Sequence, residues 1–118
     1  MSTNQLSNDE VMAILKTLSN ETRLNILNWL NNPEECFGKM PDQVRADFPY
    51  GVCVGQIKDK SGLTQSVISS YLASMQKAGL LESRRFGQWT YYRRNEPVIA
   101  AFIVAMAAEL KPVESANP

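Results

Sequence analysis

Residues 55–78 restrict the fold of this chain most strongly, because two apolar-periodic runs are separated there by only Ser61-Gly62-Leu63-Thr64. Gly62 can end the first helix in a left-handed conformation, and the hydroxyl of Thr64 can cap the second helix. Helices that are joined by so short a glycine-containing turn must cross at a steep angle. The stretch therefore predicts a helix-turn-helix, and an ordinary helical hairpin with a polar face is the alternative.

The second run divides into an apolar stripe and a face of short polar side chains. The stripe expected to be buried consists of Val67, Ile68, Leu72 and Met75. The opposite face carries Gln65, Ser66, Ser69, Ser70 and Ala73. A solvated helix face usually carries lysine and glutamate, whereas a face that enters a DNA groove favours short hydrogen-bonding groups. The pattern thus indicates contact with DNA bases.

The formal charges of the 118 residues sum to zero, but their distribution is uneven. Residues 56–95 contain seven basic and two acidic groups, a net +5, whereas residues 1–55 contain four and seven, and residues 96–118 contain one and three. Local positive potential favours contact with phosphates, and acidic flanks limit non-specific attraction. Chance clustering in a short chain is the alternative.

Length and composition predict a single domain over residues 1–118 with a modest core. No stretch approaches the ~18 apolar residues of a membrane span, and the N-terminus lacks the basic and apolar regions of a signal peptide. A cytoplasmic protein without membrane association is therefore expected. The chain has no histidine, no glycine-rich phosphate loop and no pairing of a nucleophile with a base. We therefore predict no enzyme activity and no catalytic residues.

The first half of the chain reads as two capped helices followed by an irregular segment. Residues 7–10 have the Ser-x-x-Glu form of a capping box, and Asn20 can cap a second amphipathic helix that ends before Pro33. Residues 33–50 contain three prolines, which forbid one long helix, although residues 42–47 can form a single turn. This segment is either a functional connection or an insertion that rests on the surface.

Two short strands are predicted after the helix-turn-helix, at residues 81–85 and 89–93. The second is rich in strand-forming aromatic residues, and Phe86-Gly87-Gln88 supplies a tight turn between them. The side chains predicted to meet DNA from this hairpin are Arg84, Arg85 and Gln88. They suit a wing that lies along a DNA backbone, and a solvated hairpin with ordinary surface arginines is the alternative.

The last helix is expected to begin after Asn95, which can cap it, and to end before Pro112. It is apolar on nearly all sides, so it must be covered on more than one of them. A second copy in a two-fold dimer can supply that cover, and a central core helix in a monomer is the alternative. The expected interface on the N- and C-terminal helices consists of Val11, Ile14, Leu15, Ile99, Phe102, Ile103 and Met106.

Two parts of the chain resemble a known family. Residues 18–24 (Leu-Ser-Asn-Glu-Thr-Arg-Leu), followed by Ile26 and Leu27, look like the opening signature of the ArsR/SmtB family of small bacterial repressors. Residues 62–93 are similar to that family's recognition helix and wing. The resemblance implies a mainly α fold with a small β-hairpin (α+β), a winged helix-turn-helix. The helix-turn-helix would span about 54–78, the wing about 80–94 and the dimerisation helix about 96–110.

The resemblance also implies a function. A homodimer would bind a two-fold-symmetric operator in double-stranded DNA and block transcription until an unknown effector lowers its affinity. The recognition-helix residues that would meet DNA are Thr64, near a phosphate, and Gln65, Ser66, Ser69 and Ser70, facing bases. Family members often have two histidines where this chain has Ser70 and Tyr71, so the operator sequence does not transfer.

Neither of the family's metal sites can be assembled from this sequence. Cys53-Val54-Gly55 keeps one cysteine of a two-cysteine motif, and the terminal helix offers only Glu109 as a ligand. No metal or cofactor is therefore predicted. Cys36 and Cys53 remain, either as small buried hydrophobic residues, as a redox pair, or as part of a metalloid site.

The leading functional interpretation is a sequence-specific DNA-binding repressor of the ArsR type, with thiol sensing through Cys36 and Cys53 as an option. The alternative is a winged-helix module that binds protein and does not read DNA sequence. The polar face of residues 65–73 lacks the large aromatic or aliphatic anchors typical of protein-binding hot spots. This face therefore favours DNA as the partner.

Overall fold

The computed structural model describes residues 5–114, so residues 1–4 and 115–118 of the predicted domain lie outside the described range. The helices are α1 (Asn8–Leu18), α2 (Glu21–Trp29), α3 (Pro33–Phe37), α4 (Asp42–Asp47), α5 (Val54–Ser61), α6 (Gln65–Lys77) and α7 (Glu96–Leu110). The strands are β1 (Val52–Cys53), β2 (Leu81–Phe86) and β3 (Trp89–Arg94). The predicted mainly α fold with a small β-element is confirmed. Among the described helices, none has the length and apolar character needed to cross a lipid bilayer.

Side-chain caps determine where four of the helices begin. Ser7 and Glu10 form the reciprocal capping box at the start of α1. The side chains of Ser7, Asn20, Thr64 and Asn95 accept hydrogen bonds from backbone N–H groups of the following turn, at 2.9 to 3.4 Å. Each bond satisfies a donor that the helix itself leaves unpaired. The four caps predicted from the sequence are therefore confirmed.

Within the described residues the sheet has three antiparallel strands in the order β1-β3-β2, one more than the sequence predicted. Strand β1 has only two residues, and both pair with β3, Val52 with Tyr92 and Cys53 with Tyr91. Strands β2 and β3 form the predicted hairpin, each one residue longer than expected, with Phe86 paired to Trp89. Gly87 has a φ of 62° at the first turn position, where a two-residue hairpin turn favours glycine.

The main core lies between α1, α2, α5, α6 and the wing. Its fully buried side chains are Ile14, Ile26, Val52, Ile57, Ile68, Leu72, Met75 and Leu80. Val67 is the exception to the predicted stripe of α6, because 36% of it is exposed. Residues in a helix are about 100° apart, and Val67 falls outside the arc that Ile68, Leu72 and Met75 bury.

Two residues assigned to a dimer interface lie elsewhere. Ile14 and Ile99 are buried in the protomer's own core, so they have no surface to offer a second copy, and that assignment is wrong for them. Apolar periodicity identifies the face that is covered, but not which element covers it. Farther along α7 the apolar side chains are exposed to solvent: 60% of Ile103 and 70% of Val104 are accessible in the protomer.

Residues 33–51 fold into two short helices, which we call the α3–α4 segment. The expected turn at residues 42–47 is confirmed as α4, whereas α3 was not predicted. The segment has its own apolar cluster, separate from the main core. That cluster comprises Val44, Phe48 and Tyr91 with Met40, Cys53 and Phe86 packed around them. The segment is thus attached to the sheet that carries the wing.

Candidate nucleic-acid interface

The turn between α5 and α6 has the geometry of a helix-turn-helix. Gly62 has a φ of 72° and ends α5 in the left-handed region, as its lack of a Cβ allows. The backbone N–H of Leu63 donates to Ser61 Oγ at 3.1 Å, and Thr64 then caps α6. The turn is held by these local bonds, which fix the direction in which α6 leaves it.

The outer face of α6 exposes the short polar side chains that the sequence assigned to base contact. These are Gln65, Ser66, Ser69 and Ser70, together with Thr64 at the cap. The amide of Gln65 donates to Ser69 Oγ at 3.1 Å, and the hydroxyls of Thr64 and Ser66 are 3.4 Å apart. Their partners are exposed neighbours on the same helix, so these groups can exchange them for partners outside the protein.

Two further residues share this exposed surface of α6. Val67 presents an apolar side chain near the start of the helix, and Lys77 a positive charge at its end. Both are exposed in the protomer. The sequence analysis placed Val67 in the core. Its position at the edge of the arc that Ile68, Leu72 and Met75 bury explains why it is exposed instead. Methyl groups of this kind can contact the methyl group of thymine.

The wing exposes two arginines that have no carboxylate partner among the described residues. Arg84 Nη1 donates to the backbone oxygen of Asp47 at 2.9 Å, and Arg85 Nε donates to that of Gly87 at 3.0 Å. A carbonyl oxygen orients a guanidinium without neutralising it. The exposed Gln88 follows at the turn, and Trp89 beside it is 50% exposed.

Part of the positive charge in residues 56–95 is neutralised within the protomer. Arg93 Nε lies 2.9 Å from Glu82 Oε1, and Arg94 Nε lies 2.9 Å from Glu96 Oε2. Lys58 Nζ lies 3.9 Å from an oxygen of Asp59. The basic groups without an ion pair in residues 5–114 of this region are Lys60, Lys77, Arg84 and Arg85. The positive surface is therefore smaller than the sequence count suggests, and it centres on α6 and the wing.

Residues of the opening signature hold α6 in position. The amide of Asn20 donates to the hydroxyl of Tyr71 at 3.4 Å, and the guanidinium of Arg23 lies 5.0 Å from the centre of the Tyr71 ring. Arg23 Nε is itself fixed by the backbone oxygen of Thr17 at 2.6 Å. This positioning role was not predicted, because it depends on a contact between residues 51 positions apart.

The two cysteines lie in different surroundings, and neither forms a disulfide within residues 5–114. Cys36 belongs to α3, whereas Cys53 belongs to β1 and packs against the apolar cluster of the α3–α4 segment. Burial raises the pKa of the Tyr91 hydroxyl, and the neighbouring Cys53 adds to the rise. In the described part of the chain, no three side chains of the metal-binding types come together.

Comparison with known proteins identifies the family. No protein-family model matches the chain. An uncharacterised HTH-type transcriptional regulator of Bacillus subtilis, YbzH, is 41% identical over 101 residues, which cover 86% of this chain and 99% of that protein. The arsenic resistance transcriptional regulator ArsR1 of Pseudomonas putida is 41% identical over 66 residues, 56% of this chain and 48% of ArsR1. The chain belongs to the ArsR/SmtB family of helix-turn-helix transcriptional regulators.

A solved structure supports the same fold for this ArsR/SmtB regulator. The homodimeric winged helix-turn-helix DNA-binding domain of a possible ArsR-family regulator from Mycobacterium bovis, determined by NMR, is 26% identical. The match covers 92% of this chain and 90% of that domain, with a TM-score of 0.59. Helices α5 and α6 with the β2–β3 hairpin are therefore the winged helix-turn-helix of the family.

Proposed function

We propose that this chain is a homodimeric repressor that binds a two-fold-symmetric operator in double-stranded DNA and leaves it when an effector binds. The observation that supports this most directly is the pairing of an uncharged Gln/Ser face on α6 with wing arginines that have no carboxylate partner within residues 5–114. Short polar groups suit base edges, and free guanidinium groups suit phosphates. The proposal includes a cytoplasmic location, where the DNA of a bacterium lies.

In this proposal α6 enters the major groove. The side chains that read base edges are Gln65, Ser66, Ser69 and Ser70. Thr64 contacts a phosphate, and Arg84, Arg85 and Gln88 follow the backbone from the wing. Val67 adds an apolar contact that the sequence did not suggest, and Lys77 adds a phosphate contact at the end of the helix.

The dimer is supported by the apolar surface that the protomer leaves open. Besides Ile103 and Val104 on α7, large parts of Met12 on α1 and Leu24 on α2 are exposed. The interface is expected to use Val11, Leu15, Phe102, Ile103 and Met106. The similar Mycobacterium bovis domain is described as homodimeric. A two-fold dimer presents two copies of α6, which is what a symmetric operator requires.

The proposal is tested by measuring affinity for a duplex from the region upstream of the chain's own gene. Affinity should fall steeply with rising salt, because several phosphates are neutralised per dimer. Arg85→Ala should weaken binding to all sequences alike and reduce the salt slope by about one per protomer. Ser69→Ala should instead change the preference among operator variants, by roughly 1 kcal/mol at the affected base pair. Lys39→Ala, which removes a charge outside α6 and the wing, is the matched control.

Equal affinity for the upstream duplex and a scrambled one would favour the alternative, a winged-helix module that binds protein. Equal losses from Ser69→Ala and Arg85→Ala across all sequences would contradict the assigned roles. The effector of the proposed repressor has two candidate classes. One is oxidation of Cys36 and Cys53, which are both free and half-buried, and the other is a bound ligand.

A further inference from the structure

The α3–α4 segment, together with Asn31 and Asn32, lines an open cleft of about 770 Å³, which is within the size range of small-molecule sites. The buried side chains that line it are Val44 and Phe48, with Met40 half-buried. Its exposed lining includes Glu34 and Glu35. The cleft therefore combines apolar side chains, among them Met40, Pro49 and the exposed Tyr50, with exposed carboxylates and the polar Asn31 and Asn32.

The charges around this cleft favour a cation. Neither Glu34 nor Glu35 has a side-chain hydrogen bond or an ion pair within residues 5–114. Arg45, the basic residue in the lining, has Nη1 3.3 Å from Asp42 Oδ1, so an acidic neighbour offsets part of its charge. An occupant with a positive group and an apolar body would complement both parts of the cleft.

One rim of the cleft is fixed in an unusual backbone conformation. Tyr50 has a φ of 72°, the one non-glycine residue in the described chain with a positive value, and 74% of it is exposed. The N–H of Gly51 closes the turn by donating to the oxygen of Phe48 at 3.1 Å. A Cβ at Gly51 would collide with the Phe48 ring. Non-glycine residues in this conformation concentrate at functional sites, where the surrounding structure holds them.

The same segment is bonded to the wing at two points. The backbone oxygen of Asp47, the last residue of α4, accepts the hydrogen bond from Arg84. The guanidinium of Arg93 on β3 lies 4.1 Å from the centre of the Phe48 ring and also donates to the oxygen of Pro49 at 3.3 Å. A ligand that shifts α4 or Phe48 therefore changes the position of arginines in β2 and β3.

We infer that this cleft binds a small organic cation with an apolar body, and that binding lowers the affinity for DNA by shifting Asp47 and Phe48. Arg84 then leaves the position in which it meets the DNA backbone. The inference rests on the proposed function and names both the class of its effector and the route of its action. Coupling requires that the ligand bind the DNA-free arrangement of the segment more tightly than the DNA-bound one.

Binding is tested without DNA, by calorimetric titration of the full chain with three probes of one shape. Phenethylamine is the cation, phenethyl alcohol its neutral analogue and 3-phenylpropionate the anion. We expect the amine to bind most tightly, and Glu34→Gln/Glu35→Gln to weaken it by about threefold or more. Glu21→Gln/Glu114→Gln removes the same charge outside the cleft and should leave amine binding unchanged. Equal affinity for the three probes, no binding of the amine, or equal losses in both double variants would overturn the inference.

Coupling is then tested by measuring DNA affinity with and without saturating amine. Wild type should lose affinity by about fivefold or more. In Arg84→Ala the ratio of the DNA affinity without amine to the DNA affinity with amine should approach one. The affinity of this variant without amine is also expected to be lower than that of wild type. An unchanged ratio in Arg84→Ala would remove the route through Asp47. A chain that binds amine but no duplex would refute the proposed function and leave the cleft in place, so the two failures are distinguishable.

Discussion

At the scale of single residues, the surroundings of Cys36 and Cys53 bear on whether the proposed effector acts by oxidising thiols or by binding as a ligand. Cys53 packs beside Tyr91 in the cluster of the α3–α4 segment, whereas Cys36 lies on α3 outside both apolar clusters. A disulfide needs Cα atoms within about 7 Å of each other. The Cα atoms of Cys36 and Cys53 must therefore come within that distance if the two thiols are to form a disulfide. Their separate surroundings give no sign of a preformed pair.

Operator affinity after treatment with diamide, a thiol oxidant, tests this point. A thiol mechanism predicts that oxidation lowers the affinity of wild type and that Cys36→Ser abolishes the response. A ligand mechanism predicts the same response in both proteins. Electrophoresis without reductant shows whether a disulfide has formed. Identical affinities in oxidised wild type and oxidised Cys36→Ser would remove thiol sensing through this pair.

Thr64 illustrates how a single residue serves both stability and the proposed contact with DNA. Its hydroxyl caps α6, so Thr64→Ala should lower the free energy of unfolding by about 1 kcal/mol. Urea denaturation followed by circular dichroism measures that loss. Thr64→Ser keeps the hydroxyl and is the control, which should remain within a few tenths of wild type. A destabilised Thr64→Ser would mean that the methyl group, rather than the cap, stabilises the helix.

At the scale of elements, local signals predicted most of the fold. Ser7, Asn20, Thr64 and Asn95 identified helix starts because a cap is formed within four residues of sequence. The β2–β3 hairpin was predicted for the same reason, since its turn and its strands are adjacent. Strand β1 was missed, because two residues carry no periodicity and their pairing partners are about forty positions away.

The exposed surface of the candidate site was predictable to a similar extent. The exposed polar face of α6 follows from its spacing, so Gln65, Ser66, Ser69 and Ser70 could be named in advance. What the sequence could not show is how Arg84 and Arg93 are used, because their partners on the α3–α4 segment are distant in the chain. The ion pair between Arg93 and Glu82 is also invisible in a charge count.

At the scale of the whole molecule, the dimer is the central expectation. Ile103 is largely exposed in the protomer, so Ile103→Glu should leave the fold intact and introduce a charge into the proposed interface. We expect sedimentation at micromolar concentration to show a monomer, and operator affinity to fall by tenfold or more, because half-sites would then be bound singly. Unchanged circular dichroism is the control for folding. A variant that remains dimeric would place the interface elsewhere.

A side-chain hydrogen bond connects the two parts of the protein that would meet DNA. Gln76 Nε2 at the end of α6 donates to Ser83 Oγ on β2 at 3.0 Å. Leu80, in the link between α6 and β2, and Leu81, the first residue of β2, are both buried. These contacts constrain the separation between α6 and the wing within the protomer. An operator whose DNA must bend, or whose groove must narrow, to fit this separation would be bound less tightly. The stiffness of base pairs that the protein does not contact would then contribute to its sequence selectivity.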